Sequence, residues 1–317
     1  MTFQKREDTT QGKLKIGVTE IDIGFEDKNY ARSNCLRVME EAHREGVDIL
    51  VFPEMTLTGF TMNPQRVAEP LAFSENQILS SEECVEEAGE EKDTLNFFME
   101  CSQKYNMAMI FGMAAQIRND EVQSKFKGMG ENHARAEISV EDETHYENKL
   151  IMVDGKQILM DYSKIHPFSY SGEDKVYKAG NRLSGCEYAG IGMSGYICYD
   201  LRFPEIFTAA ADDCQVFFVV ANWPETRVSQ WELLLSARAV ENQLYVVGVN
   251  RTGVTENEKY VASSHVYDYL GHDISRRVSD QLLVAEISRA VIDEARKKFP
   301  QRRDRKPQLY ASMLEGK

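Results

Sequence analysis

Apolar residues fall along this chain in two rhythms that alternate from end to end. Short continuous apolar runs read as strands buried in a sheet, and runs with apolar positions three or four apart read as helices. The first strand is "KLKIGVTEIDI" (13–23). A helix follows over "DKNYARSNCLRVMEEAHREG" (27–46), with an Asp able to cap its start and Gly46 to stop it. "VDILVFPEM" (47–55) is a second strand, "DTLNFFMECSQKYN" (93–106) a helix, and "MAMIFGMAAQI" (107–117) a strand. "NKLIMVD" and "QILMDYSK" then form two strands of a hairpin, joined by "DGK". The alternation resumes with "SGYICYD" as strand, "FPEIFTAAADD" as helix, "QVFFVVANW" as strand, "SQWELLLSARAVEN" as helix and "LYVVGVN" as strand. Two more strand-like runs, "YVASSHVYDYL" and "DQLLVAEI", precede a last helix through "SRAVIDEARKKF".

Strands separated by helices predict an α/β fold, and the hairpins predict mixed sheets. No Gly-, Ser- or Pro-rich linker divides the chain, so the reading is one domain over 13–300. A flexible or disordered N-terminus (1–12) precedes it and a basic C-terminal tail (301–317) follows. Two stretches read as surface excursions or lids: acidic "SEECVEEAGEEKD" (81–93) and the polar, weakly patterned segment 118–143.

Composition narrows the classes. The chain has 317 residues and a net charge of −14, so it lacks the basic surface of a nucleic-acid binder and is not drawn to anionic lipid. No apolar run approaches the ~20 residues of a membrane span, and the N-terminus has no signal-peptide core. A soluble, cytoplasmic protein is expected. The six cysteines (35, 84, 101, 186, 198, 214) contain no CxxC pair, and the six histidines no HxxxH. Neither a disulfide framework nor a metal site is suggested.

Chemistry is suggested where three strands stop. One ends at Glu54, one at Lys164 and one at Cys198. In α/β sheets functional groups gather beyond the carboxyl ends of strands. A Cys can attack a carbonyl, a Lys can stabilise the thiolate and an oxyanion, and a Glu can carry protons. Taken singly, each has a plainer reading: a solvated acid, a surface lysine, a core cysteine. Spacing does not show that they meet.

The surrounding words decide. "FPEMTLTGF" (52–60), "DYSKIHPF" (161–168) and "CYDLRFPE" (198–205), in that order, resemble the nitrilase superfamily of carbon–nitrogen hydrolases. "NWPETRVSQWELLLSARAVENQLYVVGVNRTG" (222–253) extends the likeness and is most similar to the omega-amidase branch. The resemblance implies a four-layer α-β-β-α sandwich with two mixed β-sheets, and a homodimer or larger homo-oligomer. It implies Glu54 as general base and acid, Lys164 as oxyanion stabiliser, Cys198 as nucleophile, and Glu173 as a second glutamate positioning the lysine or substrate. Glu187 is the poorer match for that second glutamate because it falls in a strand-like run.

The backbone N–H of Tyr199 is expected to complete an oxyanion site, and Phe60, Arg202, Asn222 and Trp223 to bind substrate. Arg202 has two readings, a carboxylate ligand or an ion pair with Glu205. Phe60 and Trp223 are open between pocket lining and plain packing, and Arg238 and Glu241 read as a structural pair. His166 invites a protease-like Cys–His reading, but no Asn or Asp partner is evident, so it reads as a supporting hydrogen-bonding group. The implied reaction hydrolyses a terminal carboxamide of a small carboxylate-bearing substrate, such as 2-oxoglutaramate, through a cysteine thioester, with no cofactor. The alternatives are a deaminated glutathione amidase, a carbamoyl-amide hydrolase, or an inactive homologue kept as a binding protein.

Overall fold

Period-two alternation decides which side of each strand is buried against what. The computed structural model describes residues 12–71, 93–117 and 144–316. The expected flexible N-terminus and the two expected insertions therefore lie, but for Gly12 and Asp93, outside the described residues.

The chain runs through β1 (Lys13–Thr19), α1 (Lys28–Arg44), β2 (Ile49–Val51), α2 (Pro64–Val67) and β3 (Glu69–Pro70). Next come α3 (Thr94–Tyr105), β4 (Ala108–Ile117), β5 (His145–Asp154), β6 (Gln157–Ser163), β7 (Gly185–Tyr188) and β8 (Ile191–Ile197). Then follow α4 (Pro204–Ala210), β9 (Val216–Ala221), α5 (Val228–Asn242) and β10 (Tyr245–Asn250). The last elements are β11 (Gly253–Val254), β12 (Lys259–Tyr260), β13 (His265–Tyr267), β14 (Arg276–Arg277), β15 (Leu282–Ser288), α6 (Arg289–Lys298) and α7 (Pro307–Leu314).

The larger sheet has the order β14-β15-β1-β2-β4-β5-β6, with β3 beside β4. β1, β2 and β4 are parallel, and the β15 and β5–β6 pairings are antiparallel. The smaller sheet has the order β13-β10-β9-β8-β7, parallel at its centre and antiparallel at both edges. Ile16, Val18, Ile110, Leu150 and Met152 of the larger sheet join Met193, Ile197, Phe218 and Val220 of the smaller one in a single core between the sheets. The alternate residues Leu50, Met109, Phe111, Ile151 and Val153 pack outward against Val38 and Met39 of α1 and Phe98 of α3. Phe207 of α4 and Trp231 and Leu235 of α5 cover the other outer face. The layers are thus helix, sheet, sheet, helix, with two mixed sheets, as the strand–helix pattern and the resemblance imply. None of the described helices is long and apolar enough to cross a membrane.

Local chemistry sets the element ends. The Asp27 carboxylate accepts from Tyr30 N at 3.0 Å and caps α1, and Gly46 takes φ +67 just beyond its end. Several boundaries differ from the pattern reading. β1 stops at Thr19, with only an isolated bridge at Asp22, and "YVASSHVYDYL" breaks into β12 and β13. Here Ser264 turns inward: its N–H donates to Glu20 and its hydroxyl donates to Thr19 O, which takes 261–264 off the ladder. Basic residues near the C-terminus are held against the body. The Arg296 guanidinium donates to the carbonyls of Ala211, Cys214, Asn242 and Gln243, and 307–314 is helical.

Glu54 depends on one close approach. Gly112 of β4 lies against the backbone of residues 54–55, so a Cβ there would strike Met55 N and stand 2.7 Å from Glu54 Cα. Gly112→Ala is expected to destabilise the protein by about 1–3 kcal/mol, read as a lower denaturant midpoint in equilibrium unfolding. An unchanged midpoint would show that the Glu54 segment moves aside freely.

Candidate active site

Four strands end at one point. Glu54 lies three residues past β2, Lys164 directly follows β6, and Cys198 and Asn222 directly follow the adjacent parallel strands β8 and β9. Glu54 and Lys164 therefore come from the larger sheet, and Cys198 and Asn222 from the smaller, at the seam between them.

Glu54 is fully buried. Its Oε1 accepts from Lys164 Nζ at 2.9 Å and Asn148 Nδ2 at 2.8 Å, and its Oε2 from Asn222 N at 2.9 Å and Asn222 Nδ2 at 3.3 Å. The Asn222 amide also donates to the Glu54 carbonyl at 2.7 Å. Glu173, equally buried, accepts from Lys164 Nζ at 2.9 and 3.1 Å, from Asn148 Nδ2 at 2.9 Å and from Phe168 N at 2.5 Å. One ammonium is thus shared by two carboxylates, and one amide bridges the same pair. Burial works against the Lys164 charge, but the Glu173 and Glu54 carboxylates outweigh it and hold its pKa above the ordinary range.

Cys198 differs from the other described cysteines. Cys35, Cys101, Cys186 and Cys214 are buried, whereas Cys198 is half-buried and faces a cavity. Its backbone takes φ +48, a left-handed conformation that side chains rarely adopt. Met55, beside Glu54, is held the same way at φ +47. Such strain costs of order 1–3 kcal/mol per residue and persists where surrounding contacts over-determine it. Asp200 supplies those contacts at Cys198. Its buried carboxylate accepts from Ile197 N at 3.1 Å, Tyr162 Oη at 2.8 Å, and His166 N at 3.0 Å, and meets His166 Nδ1 at 2.8 Å. Burial, then the Glu54 charge, pushes the Cys198 thiol well above its ordinary pKa, with Lys164 opposing. That direction favours the neutral thiol.

The cavity measures about 180 Å³. Glu54, Lys164, Cys198, Tyr199, Phe60, Arg202, Asn222 and Trp223 all line it, so eight of the nine residues singled out from sequence meet here. The ninth, Glu173, stands behind Lys164. The Phe60 ring centroid is 5.3 Å from the Lys164 ammonium. Arg202 lies 4.8 Å over Trp223 and donates to Gln230 at 2.8 Å. The alternative Arg202–Glu205 ion pair does not form, because Glu205 sits exposed in the first turn of α4 while Arg202 turns to the cavity. Asn222 differs from the expectation of a substrate ligand in that its amide N–H groups hold Glu54.

Two expectations about histidine and arginine are refined. His166 does have an acidic partner, Asp200, and its ring stacks on Phe203 at 3.8 Å. That contact fastens the Cys198 turn to the Lys164 segment. Arg238 pairs with Glu241 at 3.1 Å, as expected, and also donates to Leu201 O. Three groups went unnoticed in the sequence: Asn148, Arg227 and Glu258. Arg227 and Glu258 line the cavity, Arg227 within 5.9 Å of the Phe168 ring. Asn148 had one available signal, a polar residue opening the predicted strand "NKLIMVD".

Chemically, this arrangement can deliver a thiol to a carbonyl, take its proton on a carboxylate, and meet a developing oxyanion with an ammonium. The N–H of Tyr199 begins the short turn after Cys198 and has no partner within that turn.

A family model described as carbon–nitrogen hydrolase matches residues 15–297. YafV, an omega-amidase of Escherichia coli K12, is 30% identical over 258 residues, covering 80% of this chain and 83% of the relative. A 2-oxoglutaramate amidase of Bacillus subtilis is 26% identical over 302 residues, 94% of this chain and 100% of the relative. The crystal structure of XC1258 from Xanthomonas campestris superposes with a TM-score of 0.72 at 24% identity, covering 93% of this chain and 97% of that one.

The elevated thiol pKa has a readable consequence. The rate of Cys198 alkylation by a neutral reagent, followed by mass spectrometry, should keep rising through pH ~8.5, where an ordinary thiol begins to level off. Glu54→Gln removes a charge that raises the pKa, so it should shift the rise to lower pH. A plateau already reached at neutral pH would instead show a resting thiolate.

Proposed function

The chain belongs to the carbon–nitrogen hydrolase family, and on that premise we propose that it is an amidase of the omega-amidase type. It releases ammonia from the terminal carboxamide of a short substrate whose other end is a carboxylate. The observation that carries this reading is the buried Glu54–Lys164–Glu173 cluster at the floor of a small cavity that Cys198 faces and Arg202 borders. The names of the Escherichia coli and Bacillus subtilis relatives support the substrate class.

The mechanism follows from the charges. Glu54 accepts the Cys198 proton as sulfur attacks the amide carbonyl, which makes a C–S bond and a tetrahedral oxyanion. The Lys164 ammonium and the Tyr199 N–H receive that oxyanion, and one such donor contributes about 3–4 kcal/mol at the transition state. Glu54 returns the proton to the amide nitrogen, the C–N bond breaks, and ammonia leaves a thioester. Glu54 then deprotonates a water that attacks the thioester carbon. The C–S bond breaks, the acid departs, and the thiol is restored. Glu173 and Asn148 hold Lys164 and Glu54 in register and touch no reacting atom. Arg202 offers the substrate carboxylate a planar pair of donors. A cavity of about 180 Å³ favours a short monoamide over a tripeptide-sized amide.

Ammonia release from a panel tests the reading: 2-oxoglutaramate, 2-oxosuccinamate, glutamine, deaminated glutathione, a carbamoyl amide and a nitrile. At least one short ω-carboxamide with a free carboxylate should exceed the last three by tenfold or more in kcat/KM. Cys198→Ala should lower kcat by at least about 10³-fold while the protein stays folded. Folded protein that releases no ammonia from any of the panel sinks the proposal, as does a Cys198→Ala variant with full activity.

A further inference from the structure

The mouth of the cavity carries more charge than a lone carboxylate end requires. Arg202 is one guanidinium, stacked over Trp223. Arg227 is a second, beside Phe168, and its own carbonyl accepts from Trp223 Nε1 at 2.8 Å, which fixes its backbone to the same wall. Glu258 is the third charged group.

Glu258 directly precedes β12, where successive side chains point to opposite sides. Lys259 turns outward and pairs with Glu225 at 2.8 Å, while Glu258 and Tyr260 both line the cavity. The turn that presents Glu258 is closed by its own backbone: Thr255 N donates to Glu258 O at 2.8 Å, and Glu258 N to Thr255 Oγ1 at 3.2 Å. Beneath, the buried Arg251 guanidinium lies 4.6 Å from the Tyr260 ring and bonds to Asp22 at 2.8 Å, tying the strand to the body. Glu258 is therefore held toward the cavity rather than left on a free surface. Among the described residues its carboxylate makes no ion pair with Arg202, Arg227 or any other cation.

A small cavity bordered by two guanidiniums and one carboxylate, with the carboxylate matched to neither, is complementary to a ligand that bears both charges. We infer that the preferred amide carries an α-amino acid at its far end, with its carboxylate toward Arg202 and Arg227 and its ammonium toward Glu258. This rests on the amidase reading above and deepens it. A 2-oxo acid of the same length offers the arginines the same carboxylate but gives Glu258 no cation. Glu258 is thus a specificity-determining residue, and it takes no part in bond making.

The test is the ratio of kcat/KM for L-glutamine to that for 2-oxoglutaramate, measured by ammonia release for wild type, Glu258→Gln and Glu258→Asp. The two substrates differ only at the α carbon, so losses from altered folding cancel in the ratio, and circular dichroism checks that each variant is folded. Glu258→Gln is expected to lower the ratio at least tenfold, with Glu258→Asp intermediate because it keeps the charge. The inference is overturned if the ratio is the same in all three proteins, or if the wild type hydrolyses 2-oxoglutaramate but not glutamine. In that second case the amidase reading stands. Failure to release ammonia from either substrate or from the rest of the panel overturns both.

Discussion

The buried ammonium of Lys164, shared between Glu54 and Glu173, is the constraint to which the rest of the structure answers. Removing charged groups from water costs several kcal/mol per ion, and breaking such a pair from one side costs about 3–5 kcal/mol. The cluster therefore depends on cover for its carboxylate oxygens, and the fold supplies it from three directions. Asn148 bridges both carboxylates, Asn222 covers the far oxygen of Glu54, and Phe168 N covers Glu173. These donors come from β5, from the end of β9 and from the segment after β6. Two sheets must pack in one register for all of them to arrive.

With two carboxylates and one ammonium, the cluster has an excess negative charge beside the Cys198 thiol. Burial first, and then the Glu54 charge, holds the thiol well above its ordinary pKa. A Cys–Lys pair alone would favour a standing thiolate, open to any electrophile. In the proposed mechanism the proton leaves sulfur as the developing oxyanion gives Lys164 a third negative partner. Attack and proton transfer are thereby coupled, which is what a site complementary to a transition state requires.

Much of this was legible in the sequence, for a physical reason. Glu54, Lys164 and Cys198 each stop an apolar run, and strand ends are where an α/β sheet exposes chemistry. Their words then identified which ends belong together. That Asn148 meets Lys164 was not legible because of a single residue. In the β5–β6 hairpin a bulge between Met152 and Val153 shifts the register. Counting back from the "DGK" turn without it would set Asn148 opposite Ser163. With it, Lys149 faces Ser163, and Lys164 N donates to Asn148 O. One-residue shifts exchange the two faces of a strand, and nothing in the apolar pattern marks this one, since Leu159 is as apolar as its neighbours. Arg227 and Glu258 escaped for a different reason. They sit on short turns whose direction is set by tertiary hydrogen bonds, and polarity alone reads such residues as solvated.

The His166–Asp200 contact shows how Cys198 is kept in place. Cys198 sits in a left-handed turn that its own backbone resists, so something must hold it there. Asp200 does so from inside the turn, accepting from Ile197 N just before the cysteine. The same carboxylate accepts from Tyr162 Oη of β6 and from His166 N, two residues past Lys164. The oxygens that hold the strained turn are therefore the ones that fix the path of the lysine segment. Sulfur and ammonium cannot move apart without breaking the contacts of Asp200, and relief of the strain would pull on both. A protease-like Cys–His pair would need the imidazole turned to the sulfur. Here its Nδ1 is engaged by Asp200 and its face by Phe203, so histidine serves as mortar between the Lys164 and Cys198 segments.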